Sequence, residues 1–159
     1  MRLAIFLGWV VLCISVWACA ATATAEPIAI ITGAGSAKAL RKDDLILLYK
    51  RKKLFWADGT KAQPLNMPAS HPLRRSFSQA VLNHSPEELE KYWNDQYFQG
   101  ISPPYVLASE EAMLRFVSET PGAVGYISLC SVDSRVKVAL VILTGNKISE
   151  EIPNFDCKH

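Results

Sequence analysis

Short β-branched apolar runs alternate with capped helical segments along this chain, and that alternation restricts the fold more than any other feature. Pro27-Ile28-Ala29-Ile30-Ile31 fits a buried strand running into the loop Thr32-Gly33-Ala34-Gly35-Ser36. A helix follows, with Asp43 and Asp44 in its first turn and Lys50-Arg51-Lys52-Lys53 in its last, where the macrodipole favours each sign. Leu45, Leu48 and Tyr49 face the core. Asp58-Gly59 marks a turn, and Gln63 to Met67 reads as a second strand. Ser70-His71-Pro72 opens a second helix that carries Leu73, Phe77, Ala80 and Val81 on one face. Ser85-Pro86-Glu87-Glu88 is a capping box for a third helix, which Gly100 ends. Ser109 caps a fourth, with Ala112, Phe116 and Val117 turned inward, and Pro121-Gly122 stops it. Val124 to Ile127 and Val136 to Leu143 complete the pattern as strands. Such an order predicts an α/β sheet, whose ligands bind beyond the carboxyl ends of strands.

The folded part of the 159 residues is expected to be shorter than the whole. Residues 3 to 21 carry no charge, follow Arg2, and lead to Ala23-Thr24-Ala25, the small-x-small pattern of signal-peptidase cleavage. The expected organisation is a signal peptide over 1–25 and one domain over 26–159, in the periplasm; an uncleaved anchor is the alternative. Cys13 and Cys19 leave with the leader. Cys130 and Cys157 then remain as an isolated pair, read as a disulfide that ties down the C-terminal tail, with two free buried thiols as the alternative.

Composition excludes several classes of function. With 17 basic and 15 acidic side chains the charge is nearly balanced, which gives no electrostatic case for nucleic acid. Too few cysteines remain for a zinc site, and no cofactor is implied. His71, His84 and His159 are the only histidines, and no HExxH, GxSxG or paired-carboxylate pattern accompanies them, so the chain does not read as an enzyme. A hydrolase acting through Ser70 and His71 is a distant alternative. Trp56, Tyr92, Trp93, Tyr97 and Phe98 read as core rather than as a ligand box.

Two loops have the chemistry to hold an anion. Thr32 to Ser36 offers two glycines that free the backbone and two hydroxyls, without the lysine of a P-loop or the third glycine of a dinucleotide fingerprint. Ala69-Ser70-His71-Pro72-Leu73-Arg74 opens a helix, where unpaired N–H groups attract negative charge. On a helical wheel Arg74 lies at the edge of the apolar face, leaning toward a cleft, whereas Arg75 points away from the core.

Taken together, Leu45-x-x-Leu-Tyr-Lys, Trp56-x-Asp-Gly-Thr, Pro72-Leu-Arg-x-x-Phe77, Tyr92-Trp93, Phe98-x-Gly100, Pro103-Pro104 and Pro121-Gly-Ala-Val-Gly-Tyr126 resemble the small PstS-like phosphate ABC transporter substrate-binding proteins of bacteria. The match runs from about Ile28 to Ile127. It implies a type 2 periplasmic-binding-protein-like fold, a three-layer sandwich with a mostly parallel sheet, and a role in binding phosphate or a similar oxyanion for ABC-type uptake or sensing. By the same resemblance Ser70 stands where larger relatives grip the anion with Ser-Gly-Thr, Arg74 falls where small members carry an arginine, and Thr32, Gly35 and Ser36 resemble a glycine-serine phosphate loop. Proteins of this fold enclose their ligand between two lobes in a chain about twice as long, so a single lobe is expected, closed by a second copy where binding is tight. The alternative is an accessory domain that recognises an envelope transporter or sensor protein.

Overall fold

The computed structural model describes residues 26–36, 40–143 and 145–157. The expected leader over 1–25 and its cleavage lie outside the described residues. The elements are β1 (Ile28–Gly33), α1 (Lys42–Tyr49), β2 (Gln63–Asn66), α2 (Pro72–Phe77), α3 (Glu88–Tyr97), β3 (Tyr105–Val106), α4 (Glu110–Glu119), β4 (Ala123–Ser128), β5 (Val136–Ile142) and β6 (Ile148–Ser149). A π-helical segment, Ser78–Leu82, prolongs α2.

The strands form one sheet in the order β3-β2-β4-β1-β5-β6. Its directions correct the expectation of a mostly parallel sheet. Only β2 runs parallel to its neighbours, β3 and β4; β1 is antiparallel to both β4 and β5, and β6 is antiparallel to β5. Apolar β-branched runs satisfy either kind of ladder once both faces are covered, and strand direction is decided by where β1 inserts.

Three layers follow from the alternation of side chains along β4. A Cβ on Gly125 would strike the Met113 side chain and approach Val117, both on α4, whereas the next residue, Tyr126, stacks on Phe77 of α2 with ring centroids 4.1 Å apart. Helix α4 therefore covers one face, and α1 and α2 cover the other. Every residue of β1 from Ile28 to Thr32 is buried between them.

Most local signals act as read. Ser85 Oγ accepts the Glu88 N–H at 3.2 Å while a Glu88 carboxylate oxygen accepts the Ser85 N–H at 2.6 Å, the reciprocal bonds of a capping box. Ser109 Oγ accepts the Ala112 N–H at 3.1 Å, although Met113, rather than Ala112, points fully into the core. Gly122 has φ +80° and an added Cβ would collide with the Lys61 carbonyl; its own carbonyl takes the Trp56 indole N–H at 2.9 Å. Cys130 and Cys157 form the expected disulfide, with Cα atoms 5.5 Å apart.

Two readings change. Helix α1 ends at Tyr49, so the basic run lies beyond it. Arg51 turns left-handed at φ 57° and the Lys52 N–H reaches back to the Leu47 carbonyl at 2.8 Å, an αL helix stop in which glycine is usual. Tyr97 and Phe98, expected in the core, are 70% and 88% exposed at the end of α3. Helix α2 is capped by His71, whose Nδ1 accepts the Leu73 N–H at 3.3 Å. No described helix is long and apolar enough to cross a membrane.

Candidate functional site

Beyond the carboxyl end of β2 the chain passes through Met67 to Ser70 and enters α2 at His71. Parallel neighbours bring the end of β4 to the same rim. The polar chemistry here is buried. Arg74, one turn into α2, is only 7% exposed, and its Nη1 donates to the Asn66 side-chain oxygen. The Tyr126 hydroxyl donates to that same oxygen at 3.2 Å and accepts the Met67 N–H at 3.1 Å. Tyr49 donates to the Leu65 carbonyl at 2.9 Å alongside. Asn66, Arg74 and Tyr126, drawn from β2, α2 and β4, thus form one network.

Its electrostatics are unusual. Burial pushes the Tyr126 phenol up to about 12, with Arg74 pulling the other way, and burial likewise holds the Tyr49 phenol well above its ordinary value. Both phenols are therefore neutral at pH 7 and supply no counter-charge. Among the described residues no carboxylate pairs with Arg74. Taking an ion out of water costs on the order of several kcal/mol, which hydrogen bonds to neutral oxygens offset only in part. An uncompensated buried guanidinium at a strand's carboxyl rim is an arrangement that an anion completes.

Of the five residues expected to bind ligand, the structure brings two together. Arg74 is at the centre of this site, and Ser70 lies exposed in the adjoining loop. Thr32, Gly35 and Ser36 are elsewhere. Because β1 runs antiparallel to β4, Thr32 pairs with Val124 at the beginning of β4, whereas Ile28 pairs with Ser128 at its end. The Thr32 loop consequently sits at the opposite rim of the sheet from Ser70, and one small anion cannot touch both. Its surroundings also disfavour an anion. A cavity of about 350 Å³ beside Gly35 and Ser36 is lined by Ser118, Glu119 and Thr120 at the negative end of α4. Among the described residues the one cation lining it, Arg135, is already engaged by Glu111 at 2.7 Å and Asp133 at 2.7 Å, and it holds both carboxyls below their ordinary range. Thr32 itself is buried inside β1.

Asn66 and Tyr126 escape a reading by spacing. Asn66 ends a strand that also carries the amide Gln63, so neither composition nor alternation singles it out. Tyr126 is marked only by alternation with Gly125. The Ser70–His71 pair does not assemble as a nucleophile and base, since His71 Nδ1 is occupied in capping α2. No group of three or more metal-ligating side chains occurs among the described residues.

The three layers, with a buried cation at the carboxyl rim of a strand, define an α/β sandwich domain. Solved structures similar in fold include proteins described as phosphate transport components. One from Clostridium perfringens, assigned as a phosphate ABC transporter substrate-binding protein and holding bound phosphate, superimposes with a TM-score of 0.59 at 19% identity, over 71% of this chain and 44% of its own. An ABC-type phosphate transport receptor from Vibrio cholerae gives 0.57 at 24% identity, over 72% and 46%. PstS from Borrelia burgdorferi gives 0.54 at 17% identity, over 71% and 46%. The fold is thus PstS-like, and the chain spans less than half the length of each of these proteins. No protein-family model and no curated protein matches the sequence.

Proposed function

We propose that this chain is a periplasmic solute-binding protein for phosphate or a similar oxyanion, linked to ABC-type uptake or sensing. The observation that carries the reading is Arg74, a nearly buried guanidinium fixed by Asn66 and lacking a carboxylate among the described residues. The anion takes the Arg74 guanidinium, the exposed Ser70 hydroxyl and the Ala69 and Ser70 N–H groups, without a metal. The phosphate-bound protein of similar fold from Clostridium perfringens supports phosphate as the first ligand to try. A site on one open rim is screened by water and salt, so tight binding needs a second wall, supplied by another copy or by a partner protein.

Calorimetric titration with phosphate, sulfate and acetate tests this. Phosphate is expected to bind in wild type, and Arg74→Lys, which keeps the charge and removes the planar fork, is expected to weaken it about tenfold or more. Absence of any heat or thermal shift at millimolar phosphate rejects the reading.

One observation favours the accessory-domain alternative. Tyr97 and Phe98 pack edge to face at 6.3 Å in full view of solvent, a configuration typical of a protein-binding surface. Capture of a stoichiometric envelope protein that is lost in Phe98→Ala and indifferent to phosphate selects this reading.

A further inference from the structure

A cavity of about 360 Å³ opens beside β2 and its edge neighbour β3, lined by Arg51, Lys61, Gln63, Pro104, Tyr105 and Phe116. No residue of the Asn66, Arg74 and Tyr126 network lines it. Three independent features converge there. The first is charge: Arg51 and Lys61 both line the cavity, no acidic residue does, and neither side chain makes an ion pair among the described residues. The second is an orphan, because Arg51 Nε is buried with no hydrogen-bond partner. The third is shape: Tyr105 and Phe116 stack at 6.3 Å with their planes 27° apart, giving the cavity a flat aromatic wall next to Pro104.

The backbone adds a fourth feature. Arg51 occupies the left-handed stop of α1, the position for which glycine is the low-cost residue, so this arginine is present despite its conformational cost. Strained positions of this kind cluster where a side chain has a task.

We propose that this cavity is a second ligand site and that it takes a small aromatic carboxylate. The terminal N–H groups of Arg51 meet the carboxylate, Lys61 adds a second positive charge, and the ring of the ligand lies against Tyr105 and Phe116. Inorganic phosphate matches the charge and leaves the aromatic wall uncovered. The volume is at the lower end of ligand cavities, which run from roughly 300 to 1,000 Å³ and suit a molecule of benzoate size.

Titration of the full chain with benzoate, cyclohexanecarboxylate and inorganic phosphate, followed by two-dimensional NMR, tests the assignment. Benzoate is expected to shift the resonances of Arg51, Lys61, Tyr105 and Phe116 and to bind more tightly than the other two. Arg51→Gly is the decisive variant, because glycine suits φ 57° and the helix stop survives. It is expected to melt no lower than wild type while losing benzoate affinity about tenfold or more. Arg74→Lys is expected to leave benzoate binding unchanged. Should Arg51→Gly melt lower, Lys61→Gln and Tyr105→Ala, both on exposed side chains, carry the same test with a few-fold loss each. The proposal is overturned by no benzoate shift at about 10 mM, by equal benzoate binding in Arg51→Gly, or by phosphate or cyclohexanecarboxylate binding these residues as tightly as benzoate.

Discussion

Replacing Tyr126 by Phe removes one oxygen atom from the centre of the Arg74 network and leaves the packing in place. The ring keeps its stack on Phe77, so no cavity forms. Two hydrogen bonds disappear. The bond to Asn66 Oδ1 at 3.2 Å is worth about 1 kcal/mol net. The bond from the Met67 N–H at 3.1 Å matters more, because Met67 is 1% exposed and its donor is left stranded, which costs about 1–3 kcal/mol. The total is about 2–4 kcal/mol, or roughly 6–12 °C in Tm for a domain of this size. Tyr49→Phe supplies the control. The Tyr49 hydroxyl only donates, to the Leu65 carbonyl at 2.9 Å and more weakly to that of Val124 at 3.4 Å, so its loss strands no N–H and costs about 1 kcal/mol. Urea denaturation of the three proteins, extrapolated linearly with a shared slope, measures both. A Tyr126→Phe loss no greater than that of Tyr49→Phe refutes the claim that the phenol oxygen serves as acceptor for a buried backbone donor.

Gly125→Ala is expected to destabilise by about 1–3 kcal/mol, because its Cβ meets the Met113 side chain, and Met113→Ala in the same chain is expected to recover part of that loss in the same urea assay. Alkaline titration followed at 295 nm, with circular dichroism alongside, reports the buried phenols. Tyr49 and Tyr126 have folded pKa values above the unfolded value near 10, so the stability they contribute is complete below pH 10 and is lost as pH rises through the folded values, about 12 for Tyr126. Part of the phenolate absorbance should therefore appear only as the helical signal collapses, and complete ionisation in a fully folded chain contradicts the burial.

Local chemistry was legible in the sequence, and relative placement was not. The capping box at Ser85, the Ser109 cap, the Pro121-Gly122 stop and the Cys130–Cys157 bridge each depend on a few neighbouring residues or on a single pair. Strand direction has no such marker. Once β1 lies antiparallel to β4, the two loops expected to share an anion are separated by the length of the sheet. Arg74 was visible because a helical wheel carries it to the edge of the apolar face, and Ser70 because it precedes a helix. Asn66 and Tyr126 reach Arg74 only through tertiary packing. The exposure of Tyr97 and Phe98 was hidden for a different reason, since hydrophobicity predicts burial on average and does not mark which apolar side chains stay in solvent.

The place of β1 in the sheet has a consequence for synthesis. This strand is the first of the described elements to leave the ribosome, yet its ladder pairs Ile30 with Tyr126 on one side and with Leu140 on the other. Its partners are made last. Until then Ile28-Ala29-Ile30-Ile31 is an unpaired β-branched segment with no charge within it, the type of stretch that self-associates when left open. Completion of the sheet is held back until nearly the whole chain exists, so folding is governed by long-range closure, and the nascent protein is a natural client for whatever shields hydrophobic strands in the meantime.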